Sequence, residues 1–340
     1  MRKILAIIIF VMLVFSVSGC GNGASSEVKE KTATKKLMEK FDKSVQIEKT
    51  VLYDENGIKI TADSLTYTNF TAEIKLIFEN NSDKDLSFVS GSMGYHINSI
   101  NGYMIDDGYI NCDVAAGQTV EDEFSVDFRS LNVYGITKIA DIEMGFEIND
   151  DDYNSVETGP LKIKTNIADS YDYSENTYRK VIENGAFESK MDCKIDSFSE
   201  DVLYDNYDLK VTSAAVVTNK DNESIVMLEI ENNSEYEITV GIGDVYFGEL
   251  NVYDSIWDSE FIPGKKKYVM GIELNNLAEY YFDEEDEEET DDADKKDEKG
   301  DDLIEISELS FSFSVGESVY DPEDSQEITL SLPKIKIEKD

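Results

Sequence analysis

The chain has 340 residues, with 73 acidic against 31 basic side chains and a formal net charge of -42. So acidic a surface excludes nucleic-acid binding as a main role, because phosphate contacts need lysine and arginine, and it offers nothing to anionic lipid. Apolar residues make up 41% of the chain, so its length suffices for two or three domains with buried cores.

At the N-terminus, Arg2 and Lys3 precede an apolar run over residues 4–17, followed by Val17-Ser18-Gly19-Cys20. The run is shorter than the roughly twenty residues a membrane-spanning helix needs. The pattern resembles a bacterial lipoprotein signal: a basic start, an apolar middle, then small residues ending on cysteine. That resemblance implies removal of residues 1–19, lipidation of Cys20, and a chain held on the extracytoplasmic face of the cell membrane. Lipoproteins of this kind carry at least two acyl chains, where a single chain binds only marginally. An uncleaved anchor or an ordinary signal peptide is the plainer alternative.

Residues 20–44, with Gly21, Gly23, Ser25 and Ser26 and then Lys/Glu-rich sequence, read as a flexible tether. From about residue 45 the sequence repeats itself. Val51-Leu52-Tyr53-Asp54 recurs as Val202-Leu203-Tyr204-Asp205, and Ile58-Lys59-Ile60-Thr61 as Leu209-Lys210-Val211-Thr212. Phe78-Glu79-Asn80-Asn81-Ser82 matches Ile230-Glu231-Asn232-Asn233-Ser234. Ala116-Gly117-Gln118 matches Pro263-Gly264-Lys265, and 139–148 matches 306–315. Blocks recurring in one order at this long a period indicate a duplicated domain, not a solenoid. The expected domains are 45–168 and 191–340, joined by a linker over 169–190 in which a short helix near 175–183 is expected.

Each copy reads as strands. Ile142, Met144, Phe146 and Ile148 alternate with polar or small residues, as do Leu309, Phe311, Phe313 and Val315, which places one face in a core. Asn56-Gly57 and Asn101-Gly102 are hairpin signals, since both residue types tolerate positive φ. The fold class is therefore all-β, two tandem antiparallel sandwiches after a signal peptide and tether. The apolar-Glu-Asn-Asn-Ser-acid block, followed about thirty residues on by a Gly or Pro-Gly turn, resembles immunoglobulin-like domains of unknown function in Gram-positive lipoproteins. This resemblance implies an extracellular sandwich and brings no catalytic residues. The second copy departs through an acidic stretch at 283–302, expected as a disordered loop between two strands.

Few residues suggest chemistry. The one histidine, His96, cannot build a His-rich zinc site. Cys112 and Cys193 could pair outside the cytosol, and Cys112 alternates with Ile110 and Val114 as a core residue would. Asp150-Asp151-Asp152 and the Asp321, Glu323 and Asp324 group lie at sandwich ends, where carboxylates could take low-affinity Ca²⁺ or simply form polar turns. Trp257 is a candidate platform for a sugar or peptide, with a strand-face role as the plainer reading. The reading that follows is a lipid-anchored, non-enzymatic surface protein that binds or scaffolds at the envelope. An envelope-polymer binding module and a carboxylate-dependent hydrolase are the alternatives, the latter needing a deep cleft with two convergent acids.

Overall fold

The computed structural model describes residues 41–91, 98–152, 154–289, 303–318 and 320–338. The signal and Cys20 lie outside them, as does His96. The chain divides into two units, Met1–Met191 and Asp192–Asp340.

In the first unit the strands are β1 (Thr50–Glu55), β2 (Ile58–Tyr67), β3 (Thr71–Asn80), β4 (Leu86–Gly91), β5 (Ser99–Ile100), β6 (Tyr103–Met104), β7 (Tyr109–Val114), β8 (Thr119–Asp127), β9 (Asp141–Asp150) and β10 (Ser155–Lys164). One antiparallel sheet runs β1-β2-β3-β8. The other runs β7-β4-β9-β10, with β5 beside β4 on the same edge of β9. Both Asn-Gly signals form tight turns with positive φ: Asn56 and Gly57 between β1 and β2, Asn101 and Gly102 between β5 and β6. The period-two residues fill the space between the sheets, where Phe78 of β3 meets Phe88 of β4 and Phe146 of β9 at 4.9 and 5.6 Å.

The second unit has β11 (Cys193–Ser199), β12 (Tyr204–Asn206), β13 (Leu209–Asn219), β14 (Ser224–Asn232), β15 (Ile238–Phe247), β16 (Leu250–Ile262), β17 (Lys267–Glu273), β18 (Leu303–Gly316) and β19 (Asp324–Glu338). Here β11 and β12 share one edge of β13, which continues to β14 and β17. The facing sheet runs β16-β15-β18-β19. Strand for strand this is the order of the first unit, with β12, β13, β14 and β17 standing where β1, β2, β3 and β8 stand. Register agrees as well: Phe88 pairs with Ile148, and its counterpart Val240 with Val315.

Each copy carries the same buried polar clamp. Asn80 closes β3, is fully buried, and donates from Nδ2 to Lys84 O (2.8 Å) and to Val114 O (2.9 Å), the last residue of β7 in the other sheet. Its Oδ1 accepts from Ser82 N and Oγ. Asn232 closes β14 in the same way, donating to Tyr236 O and to Ile262 O at the end of β16, both at 2.8 Å, and accepting from Ser234 N. Asn-Asn-Ser is thus more than a surface turn, because its first asparagine ties one sheet to the other.

The short helix expected near 175–183 is present as Thr177–Glu183, and the structure departs from expectation in three places. Residues 41–44, assigned to the tether, are seated on the first unit: Phe41 is buried and stacks on Phe128 at 4.3 Å. In the expected linker 169–190, helices α2 (Thr177–Glu183) and α3 (Ala186–Met191) pack into the first unit, near α1 (Phe128–Val133), which follows β8. Asn176 caps α2 by accepting from Arg179 N, and Tyr178, Val181, Ile182, Phe187 and Met191 are buried. A Cβ at Gly135 would lie 2.3 Å from Thr177 O, so only glycine permits this approach. In the second unit Tyr280-Tyr281-Phe282 is not strand but part of α4 (Leu274–Glu289), whose Leu274, Leu277, Ala278 and Phe282 form one buried face at helical spacing. The acidic stretch begins inside this helix, and 290–302 lies outside the described residues.

Removing either clamp takes the side-chain donor from one buried carbonyl, Val114 O or Ile262 O, at about 1–3 kcal/mol, while Lys84 O and Tyr236 O keep a serine hydroxyl donor. Asn80→Ala and Asn232→Ala are expected to destabilise their own units by about 1–3 kcal/mol. The single tryptophan, Trp257, lies in the second unit. Asn232→Ala should therefore shift the denaturant midpoint read by its fluorescence, and Asn80→Ala should not.

Candidate functional site

One end of the second sandwich is closed by four segments: 205–208, 233–237, 263–266 and 317–323. Backbone bonds hold them together. Asn233 N donates to Asp208 O at 2.7 Å, Lys265 N to Ser234 O at 3.1 Å, and Asn232 N to Lys266 O at 2.9 Å. Thr239 Oγ1, at the start of β15, donates to Glu317 O, while Asp324 accepts from Tyr204 OH at 2.8 Å and Asn206 Nδ2 at 3.2 Å. These two bonds hold the Asp324 carboxyl below the usual carboxylate range.

Three tyrosines project from this frame. Tyr207 is 47% exposed, Tyr236 78% and Tyr320 88%. The first copy differs at two of these positions, while the third, Tyr320, aligns with Tyr153, which lies outside the described residues. Tyr236 and Lys84 correspond, since each carbonyl receives the clamp amide. Lys84 instead bonds Asp150 (2.5 Å) and Asp152 (3.1 Å), where Asp150 also accepts from Asn154 and Asp152 backbone N–H groups. Those bonds, Lys84 foremost, hold Asp150 well below the usual carboxylate range. Tyr207-Asp208 occupies the place of Asn56-Gly57.

That replacement strains the backbone. Tyr207 and Asp208 sit at φ 53° and 58°, and Lys265 at 61°. The clamp fixes Lys265 as the counterpart of Gly117 (φ 70°), because Asn232 N reaches Lys266 O as Asn80 N reaches Gln118 O. Left-handed backbone costs a residue with a Cβ about 1 kcal/mol or more, and strain of this kind concentrates at functional surfaces.

The residues singled out from sequence lie elsewhere or are otherwise engaged. Trp257 is half-buried, and its ring meets those of Tyr253 and Tyr280 edge-on at 5.1 and 6.5 Å. Tyr253 and Tyr280 also meet edge-on, at 4.9 Å. Cys112 is a buried free thiol, pushed up to about 11 by desolvation. Asp321 and Glu323 lie in the fourth segment of the tyrosine-bearing end. Among the described residues, no three His, Cys, Asp or Glu side chains converge as a metal site.

Two further features carry acids. A polar cleft of about 540 Å³ is lined by Asp196, Thr218, Ser224, Asn275, Lys334 and Lys336 among others, but Asp196 is already bonded by Thr218 and Lys194. Apart from it, burial pushes Asp258 of β16 up to about 6 and Glu273 of β17 up to about 7, the latter raised further by Asp258 and Glu223. Asn276 Nδ2 bonds Glu273 at the start of α4.

No protein-family model matches the chain, and no curated protein matches it. Among solved structures it is similar to red sea bream transglutaminase, at 7% identity and a TM-score of 0.18, over 92% of this chain and 34% of that one. It is also similar to the β-glucosidase of Kluyveromyces marxianus, at 9% identity and 0.19, over 80% and 46%. With glucose bound, the same enzyme gives 8% identity and 0.19, over 86% and 47%. The chain thus spans less than half the length of these proteins, and likenesses of this size assign neither family nor activity.

Two outcomes follow. Restoring the first copy's residues with Tyr207→Asn, Asp208→Gly and Lys265→Gly should stabilise the second unit by about 1–2 kcal/mol, read as a higher denaturant midpoint in Trp257 fluorescence. Asp258 and Glu273 start from ordinary values of 3.8 and 4.5 and are raised in the fold. Their contribution to stability is full below about pH 4 and is lost as pH rises through 6 and 7. The melting temperature of the second unit should accordingly fall more steeply between those limits in wild type than in Asp258→Asn/Glu273→Gln; equal slopes would refute the assignment.

Proposed function

We propose that the chain is a lipid-anchored, extracytoplasmic surface protein of the Gram-positive lipoprotein type, attached through Cys20. Its immunoglobulin-like sandwiches bind or scaffold at the envelope and perform no catalysis. The observation that carries the binding role is the tyrosine-bearing end of the second unit, where Tyr207, Tyr236 and Tyr320 are exposed and where Tyr207, Asp208 and Lys265 hold left-handed backbone that the first copy gives to Asn56, Gly57 and Gly117. Tyrosine supplies large contact area with a polar tip and little rotamer entropy, which is why binding loops on sandwich scaffolds favour it. Such loops bind because a rigid frame presents them, and the clamp supplies that frame here.

Attachment rests on the basic, apolar and small-residue pattern that ends at Cys20. No helix among the described residues is long and apolar enough to cross a membrane. The anchor is tested by fractionation. Cys20→Ala should move the protein out of the membrane pellet, and retention as firm as wild type would sink the lipid assignment. The binding role is tested by cross-linking on intact cells with mass spectrometry of the adducts, where reproducible partners are expected.

A further inference from the structure

The tyrosine-bearing end of the second unit also carries information about what it binds. Its four segments contain seven acids and two lysines. One of the lysines, Lys265, is drawn to Glu235 at 3.0 Å. The exposed rings of Tyr207, Tyr236 and Tyr320 therefore stand in a field of carboxylates. An aromatic face attracts a cation through its quadrupole, and surrounding carboxylates both steer the cation in and repel anions. A neutral ligand would gain from the rings alone and make no use of the charge.

We propose, resting on the binding role above, that this end docks a basic segment of a partner protein, its lysine and arginine side chains lying over the rings of Tyr207, Tyr236 and Tyr320. The carboxylates bring the segment in and the tyrosines hold it. The equivalent end of the first unit is also acidic, with Asp83, Asp85, Asp151 and Asp152. There Lys84 reaches across to Asp150 and Asp152. Charge alone therefore cannot direct the partner to the second unit.

The test titrates the full chain in detergent with a synthetic decapeptide of alternating arginine and glycine, at about physiological salt, where surface charges beyond roughly 8 Å are screened. Tyr207→Ser/Tyr236→Ser/Tyr320→Ser changes no charge and is expected to weaken binding by about tenfold to a hundredfold, three exposed cation–π contacts being lost. Glu235→Lys/Asp321→Lys keeps every tyrosine and should weaken binding comparably. Asp151→Asn/Asp152→Asn on the first unit should leave it within about twofold, as expected of rim charges remote from a docking site. Peptide binding by the serine triple variant equal to wild type would overturn the proposal. A photo-cross-linker at position 320 on intact cells separates this inference from the broader one. Adducts rich in lysine and arginine support it, and adducts with segments lacking basic residues overturn the partner chemistry alone. An absence of adducts from this and every other surface position would remove the binding role as well.

Discussion

The second unit's architecture depends on the amide of Asn232. Apolar burial holds two sheets together without direction, since the hydrophobic effect is indifferent to register. Asn232 adds the direction. Its side chain fixes Tyr236 O and Ile262 O, and its backbone N–H fixes Lys266 O. Its neighbour Asn233 donates to Asp208 O and so holds the β12–β13 turn. Three loops that would otherwise project independently are thus tied to Asn232 and its neighbour. A buried amide with its partners in place specifies geometry where an apolar residue would only fill volume. Asn80 does the same in the first unit.

Duplication makes the comparison between units informative. Fold, strand order and clamp are shared, so a difference at matched positions is a difference of purpose rather than of scaffold. The first copy uses residues that relax the backbone, Asn56, Gly57 and Gly117, and an ion-paired Lys84. The second uses Tyr207, Asp208, Lys265 and Tyr236 at those positions and accepts the strain. Nothing in the folding of a sandwich requires this, because the first copy folds with the relaxed set. Conformational strain maintained in one of two otherwise equivalent frames is the observation on which the proposed contact role rests.

Much of this fold was legible in the sequence. Period-two runs such as Phe311-Ser312-Phe313-Ser314-Val315 and the Asn-Gly turns are local signals, and the sheets use them as written. The repeat placed Asn80 over Asn232 in correct register. It did not reveal their burial, because Asn-Asn-Ser has the composition of a solvated turn and only tertiary structure shows where its amide points. The Pro-Gly match was one residue out: glycine identity suggested Gly264, whereas the hydrogen bonds align Lys265 with Gly117. Helix α4 was hidden by aromatic residues that favour strands, although Leu274, Leu277, Ala278 and Phe282 keep a helical period. Both units place a helix between the equivalents of β8 and β9, so the acidic stretch lengthens a connection the first copy already has. The tyrosine surface left a trace in sequence, since the aligned blocks set Tyr207-Asp208 against Asn56-Gly57. Among 19 tyrosines, that trace acquires meaning only once φ is known.

The overall charge imposes the final constraint. At -42 the chain attracts cations over all of its surface, and such attraction raises encounter rates without choosing a location. Selectivity must come from groups that are rare where charge is common. Exposed aromatic faces on a fixed frame meet that condition, because cation–π attraction acts within about 6 Å and depends on ring orientation, whereas carboxylates act over a Debye length. In the first unit the acidic end has Lys84 engaged by Asp150 and Asp152. The docking proposed for the second unit would combine the long-range and the short-range attraction at one end, with the clamp beneath Tyr236 holding the short-range term in place.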